Sequence, residues 1–276
     1  MHCVPEYLRS LITLAFGAIN DRSVAEDLHH LADRLYERAY RARLGLRTSD
    51  DNRPEHEPIV LGHTMRICWH SGAERASGLP FSLSEFRIAV AVSLLHDLEP
   101  IPRVTEEMIR NAENHGEADE ATRLRQVKTA QRLIHMRRSA EAALVLLGNA
   151  PSLLDAIEVR QSVALIALHD VCKLGLAYPS STDWLAVCCL EGDALWPLFG
   201  HAKFGDLGPL ADLERKGVMN PTRAQLRDQA QANLESLRSY RANFGCTAEQ
   251  FRDDETILRT EEGSMLLNEY RNYWEI

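Results

Sequence analysis

Residues 83–100 read LSEFRIAVAVSLLHDLEP. From Phe86 to Leu95 the stretch is apolar at helical spacing except for Arg87 and Ser93, and Pro100 and Pro102 stop it. It therefore reads as a helix buried in a core, ending on the doublet His96-Asp97. A basic ring beside a carboxylate in such surroundings is costly unless both have partners. The chain repeats the arrangement at 165–171, LIALHDV, where the doublet is His169-Asp170. Whatever these doublets hold has to lie inside the fold.

Outward from this helix, helical patterns dominate. Residues 5–45 place apolar positions three and four apart (Leu28, Leu31, Leu35, Tyr36, Tyr40), and further patterns cover about 58–77, 104–149, 153–174, 182–196, 222–243 and 262–274. The long 104–149 pattern is expected to break near Asn114-His115-Gly116. Strand-like alternation is scarce, so the expected class is all-α. The polar stretch RTSDDNRPEHE at 47–57 reads as a surface loop, and the glycine- and proline-rich 200–221 as an irregular connection to a C-terminal helical part. The final stretch sets Met265, Leu266, Leu267, Tyr270 and Trp274 near one side of a helix, which could dock on its own core, cover a site mouth or pair with a second subunit as a homo-oligomer.

Composition limits the function classes. A formal charge of −9 over 276 residues argues against a large nucleic-acid partner, though not against a local basic site. The six cysteines show no C-x-x-C spacing and suggest reduced, cytoplasmic thiols. The apolar run LITLAFGAI at 11–19 lacks a basic flank and is too short to span a bilayer, so a core helix is expected and no membrane. Phosphate-loop and dinucleotide glycine motifs are missing.

Five apolar helical stretches each carry a metal-type ligand. His63 lies in IVLGHTMRICW, His96 and Asp97 close AVAVSLLHD, His135 lies in QRLIHMRRSAEAALVLL, His169 in SVALIALHD and Asp193 in WLAVCCLEGDALW. Any one of them alone reads as a hydrogen-bonded core residue. Burying all of them independently is expensive, whereas a shared metal centre satisfies them together.

Gly62-His63-Thr64-Met65-Arg66-Ile67, then Leu94-Leu95-His96-Asp97, then Asp193 in an apolar helix, resemble the HD superfamily of metal-dependent phosphohydrolases. The His135 segment and Ala167 to Pro179 resemble the later histidine segments of its two-metal, HD-GYP-like members. The resemblance covers about 60–197. It implies an HD-type helical bundle with additional N- and C-terminal helices: one domain over 1–276, with a core of about 58–199, N-terminal helices in 1–50 and an extension over 200–276. By the same carry-over one metal takes His63, His96, Asp97 and Asp193, and a second takes Asp97 as a bridge with His135 and His169. Asp97 would then belong to the catalytic machinery, with Glu99, just after the doublet, as a further acid/base. Imidazole and carboxylate ligands suit divalent Fe, Mn, Co, Ni or Zn, two ions being expected.

Two divalent ions against two carboxylates leave positive charge that a phosphate neutralises. Cations also sit one turn from the ligands: Arg66 after His63, Arg132 and Arg138 around His135, and Lys173 after His169, with Arg103 beyond the prolines. Arg66, Arg103, Arg138 and Lys173 are the expected substrate contacts. The expected activity is hydrolysis of a phosphate ester of a small molecule or nucleotide. The alternative is a mixed-valent di-iron oxygenase of the same scaffold, cleaving a C–C or C–P bond with O2. A regulatory module that has lost its metal is a third class, disfavoured because every ligand position is filled.

Overall fold

The structure, a computed structural model, describes residues 4–44, 53–74, 78–113, 119–171, 173–175, 183–243 and 256–276. The described residues form α-helices with no strand, in agreement with the all-α reading. In chain order they are α1 (Glu6–Ala15), α2 (Arg22–Leu44), α3 (His56–His70), α4 (Leu83–Leu95), α5 (Glu106–Glu113), α6 (Glu120–Gly148), α7 (Ala156–Ile166), α8 (Trp184–Ala194), α9 (Leu207–Arg215), α10 (Arg223–Asn243) and α11 (Glu261–Trp274). None is long and apolar enough to cross a membrane.

The helix α4 owes its start to Ser82, whose hydroxyl accepts from the Glu85 N–H at 3.2 Å while Glu85 accepts from the Ser82 N–H at 2.7 Å. Its apolar residues leave no polar face, so the helix is packed on all sides, against α2, α3, α7 and α8. The neighbouring α3 packs on α1, α4, α8 and α11. Gly192 sets how closely α8 lies on α3: a Cβ there would stand 2.1 Å from Thr64 Oγ1 and 3.0 Å from the Thr64 nitrogen. One hydrophobic cluster runs from Leu8 and Leu28 through Leu94, Leu154 and Leu195 to Leu267 and Trp274.

The pattern over 5–45 is two helices, in line with the N-terminal helices expected there, and Asp21 Oδ1 accepts from the Ser23 and Val24 N–H groups to open α2. Three stretches depart from the sequence reading. The stretch 47–57 is no surface loop where it is described, because α3 begins inside it and Glu55, His56 and Glu57 are all buried. The pattern over 153–174 stops being helical at Ile166, where i→i−3 bonds from Leu168 and His169 tighten the chain into turns. The irregular connection at 200–221 contains α9. In the tail, α11 packs on α3 and buries Leu266, Leu267, Tyr270 and Trp274, leaving Met265 exposed.

Candidate metal centre

Both doublets use the same local device. His96 Nδ1 donates to the Ser93 carbonyl at 3.0 Å, and His169 Nδ1 donates to the Ile166 carbonyl at 2.7 Å. A carbonyl only accepts, so each Nδ1 carries the proton and each Nε2 presents a lone pair. The side chain also takes the oxygen three residues back, which suits a helix end. Their aspartates then part company. Asp97 turns inward among four imidazoles, whereas Asp170 accepts from Arg132 at 2.6 Å and pairs with Lys173 at 2.9 Å.

Asp97 is the hub. Its Oδ1 accepts from His135 Nε2 at 2.9 Å and lies 3.4 Å from His169 Nε2 and 3.8 Å from His96 Nε2; its Oδ2 lies 3.4 Å from His56 Nδ1. Asp193 closes the other side, 3.2 Å from His56 Nε2 and 3.5 Å from His96 Nε2. The rings of His56, His96, His169 and His135 meet edge to face in that order, with centroids 5.1 to 5.2 Å apart. Trp196 stacks flat on the outer face of His56 at 5.1 Å. Two overlapping groups result, His56-His96-Asp97 and Asp97-His135-His169, each with its ligand atoms within 4.8 Å of one another and Asp97 common to both.

These residues fit a cation. His56 Nδ1, His96 Nε2, His135 Nδ1 and His169 Nε2 are buried ring nitrogens without a hydrogen-bond partner among the described residues. The His96 and His169 lone pairs face carboxylate oxygens, an arrangement that only positive charge between or on them relieves. Protons do so in part. Burial works against the His96 imidazolium, yet Asp97 and Asp193 outweigh it and raise the ring to about 9. Burial is likewise overcome at His135 by Asp97, which raises that ring too. Burial would raise the Asp97 carboxyl, but the surrounding imidazoles, His96 foremost, hold it well below the usual carboxylate range. Buried histidine and aspartate groups that could hold a metal ion are thus established in this fold.

The structure places His63 elsewhere. Its Nδ1 donates to the Gly192 carbonyl at 2.9 Å and its Nε2 accepts from the Tyr270 hydroxyl at 2.6 Å. Burial holds this ring near 4, so it is a neutral core histidine with no lone pair left for a metal. The α3 member of the cluster is His56, seven residues earlier. Of the other expected residues, His96, Asp97, His135, His169 and Asp193 are brought together. Glu99 is half-buried; its N–H donates to Ser139 Oγ at 3.2 Å, and its carboxylate joins neither metal group. His115, Cys172 and the Tyr178-Pro179 pair lie outside the described residues.

A cleft of about 290 Å³ opens over the cluster, with His56, Asp97, His135 and Asp193 in its floor. Lys173 is in it, paired with both Asp170 and Asp193. Arg66, Arg103 and Arg138 are not. Arg66 is held by Glu262 and Glu269 of α11, and Arg103 and Arg138 line a separate cavity beside α5 and α6. The cations that do line the cleft are Arg132, Lys173, Arg215 and Lys216. The last two sit where the sequence reads as an irregular connection; the charged run Glu214-Arg215-Lys216 at the end of an amphipathic stretch was the available signal. No family model matches the chain, and no curated protein matches it in sequence.

Proposed function

We propose that the protein is a metal-dependent phosphohydrolase with an HD-type dinuclear centre, acting on a phosphate ester of a small molecule or nucleotide. The observation that carries this reading is the shared cleft: an Asp97-centred histidine cluster and four cations face the same space. His56, His96, Asp97 and Asp193 would hold one divalent ion and Asp97, His135 and His169 the other. Iron, manganese, cobalt, nickel or zinc suits this donor set. Ions bound there supply a nucleophilic water near neutral pH and relieve charge on phosphorus.

The chain's own groups do the rest. Arg132 and Lys173 draw the phosphate to the floor, Arg as a fork and Lys as a point charge, with Asp170 fixing both. Burial opposes the Lys173 charge, but Asp170 and Asp193 keep the amine protonated well above its ordinary range. Trp196 closes one side of His56 against water.

A second reading, a di-iron oxygenase cleaving a C–C or C–P bond, draws on one observation. An apolar pocket of about 170 Å³, walled by Val60, Val92, Leu165 and Leu190, reaches His96, His169 and Asp193 away from the charged cleft, and O2 favours such surroundings. One experiment separates the two. The protein is loaded anaerobically with each metal in turn and assayed on a panel of phosphate esters for released phosphate. Turnover without O2 supports the hydrolase, and turnover only on admitting O2 overturns it.

A further inference from the structure

The cleft has two walls, and only one of them holds the cluster. On that wall Arg132 and Lys173 are already matched by Asp170 and Asp193. The other wall is built by the end of α9 and by α10, neither of which contributes to the His/Asp groups. It presents Arg215, Lys216, Ser236 and Tyr240. The Ser236 hydroxyl donates to the Ala232 carbonyl at 3.1 Å, so the fork, the ammonium and the Tyr240 hydroxyl are the groups that suit an oxyanion.

The charges on this wall favour a guest. Arg215 pairs with Asp212, which leaves Lys216 as its excess positive charge. The Lys216 amine donates to a neutral amide, Gln229 Oε1, at 2.6 Å. Gln229 Nε2 in turn donates to Asn233 Oδ1 at 2.6 Å, and Asn233 Nδ2 donates to the Pro197 carbonyl at 2.7 Å. This one-way chain runs through two buried amides to the residue after Trp196, the ring that stacks on His56. It fixes Lys216 relative to the centre, and no carboxylate among the described residues pairs with the amine. Arg215, whose side chain is exposed and paired with Asp212, lies within electrostatic reach of the Arg132 guanidinium that lines the same cleft. Two guanidiniums in electrostatic reach across a cavity are stabilised by an anion set between them.

We propose that Arg215 and Lys216 form a second anion subsite, so that the substrate is a small molecule carrying two oxyanion groups, one at the metal centre and one on the α9–α10 wall. The inference rests on the hydrolase reading for the identity of the reacting group. A cleft of about 290 Å³ has room for a compact molecule of that kind.

The test is calorimetric titration of the metal-loaded full chain with inorganic phosphate and with propane-1,3-diphosphonate, which presents two oxyanions and cannot be hydrolysed. The diphosphonate is expected to bind at least about tenfold tighter than phosphate. Lys216→Met and Arg215→Met should each remove most of that advantage while leaving phosphate affinity within about twofold, and Lys216→Arg should restore it. Lys216 and Arg215 are exposed, so the folded state should survive, and circular dichroism checks that. Equal affinities in the parent protein, or variants that weaken phosphate as much as diphosphonate, overturn the inference. Because the readout needs no turnover, a negative ester panel with intact diphosphonate preference would sink the hydrolase reading alone.

Discussion

His56 and His63 stand seven residues apart on one helix, two turns along the same face, and only one of them belongs to the cluster. The sequence favours His63, set among apolar neighbours, because buried positions usually look apolar. His56 sits in RPEHEP, a run that reads as solvated, yet it is buried beneath Trp196. Nothing in residue spacing tells which turn of α3 comes level with Asp193; that is decided by how α8 crosses it. The distinction has a direct consequence. His56→Ala should lose bound metal, measured by elemental analysis of the dialysed protein. His63→Ala should keep it and lose about 2–4 kcal/mol of stability, from the Tyr270 hydroxyl and Gly192 carbonyl left unpaired in the core. Loss of metal in the second variant alone would reverse the assignment.

The same residues set a pH dependence. The His96 ring, raised from 6.5 to about 9, stabilises the metal-free fold fully below pH 6.5 and ceases to do so as pH rises through 9. The melting temperature of the metal-free protein should therefore fall between those values. Metal-loaded protein should show no such fall, since its imidazoles are neutral ligands throughout the range. A metal-free melting temperature that climbs over that interval would mean that Asp97 and Asp193 do not hold a proton on His96.

At the scale of elements, existence was legible and ends were not. The pattern of α4 was plain; the break expected near 114–116 lies outside the described residues, with α5 described to Glu113 and α6 from Glu120. The halt of α7 at Ile166 was hidden, because LIALHDV keeps an apolar helical spacing past the point where His169 takes the Ile166 carbonyl. Five cluster members, His96, Asp97, His135, His169 and Asp193, were readable as polar residues in apolar stretches. The cleft cations Arg215 and Lys216 were not, since charge at a helix end also describes a solvated surface. The packing of α8 on α3 gives a sharper expectation. Gly192→Ala puts a methyl group into Thr64, so the helices must part and carry Asp193 away from His56. A loss of about 1–3 kcal/mol in denaturant unfolding is expected, together with weaker metal retention. Unchanged metal content in that variant would mean that the centre tolerates a displaced α8.

For the molecule as a whole, metal binding at this cluster would be linked to folding, since the buried rings meet only in the native state. Saturating metal at about a thousand times its dissociation constant should add about 4 kcal/mol, so chelation should lower the melting temperature by several degrees. A scan with and without chelator checks this, and coincident curves would mean that no metal stabilises the fold. The helix bearing Asp193 is also tied to the far end of the chain. Glu191 accepts from the Arg259 and Thr260 N–H groups at 2.5 and 3.1 Å and from the Thr260 hydroxyl, while Tyr270 reaches His63 beneath Gly192.

That tie imposes an order on biosynthesis. A ribosome delivers residues in chain order, and Tyr270 follows Asp193 by 77 positions, so α8 waits for these anchors until those further residues have emerged. An ion held by Asp193 would then wait for those anchors to be made. A premature stop codon anywhere beyond the Asp193 codon but before that of Thr260 would spare every imidazole and carboxylate of the cluster and still leave it without its foundation.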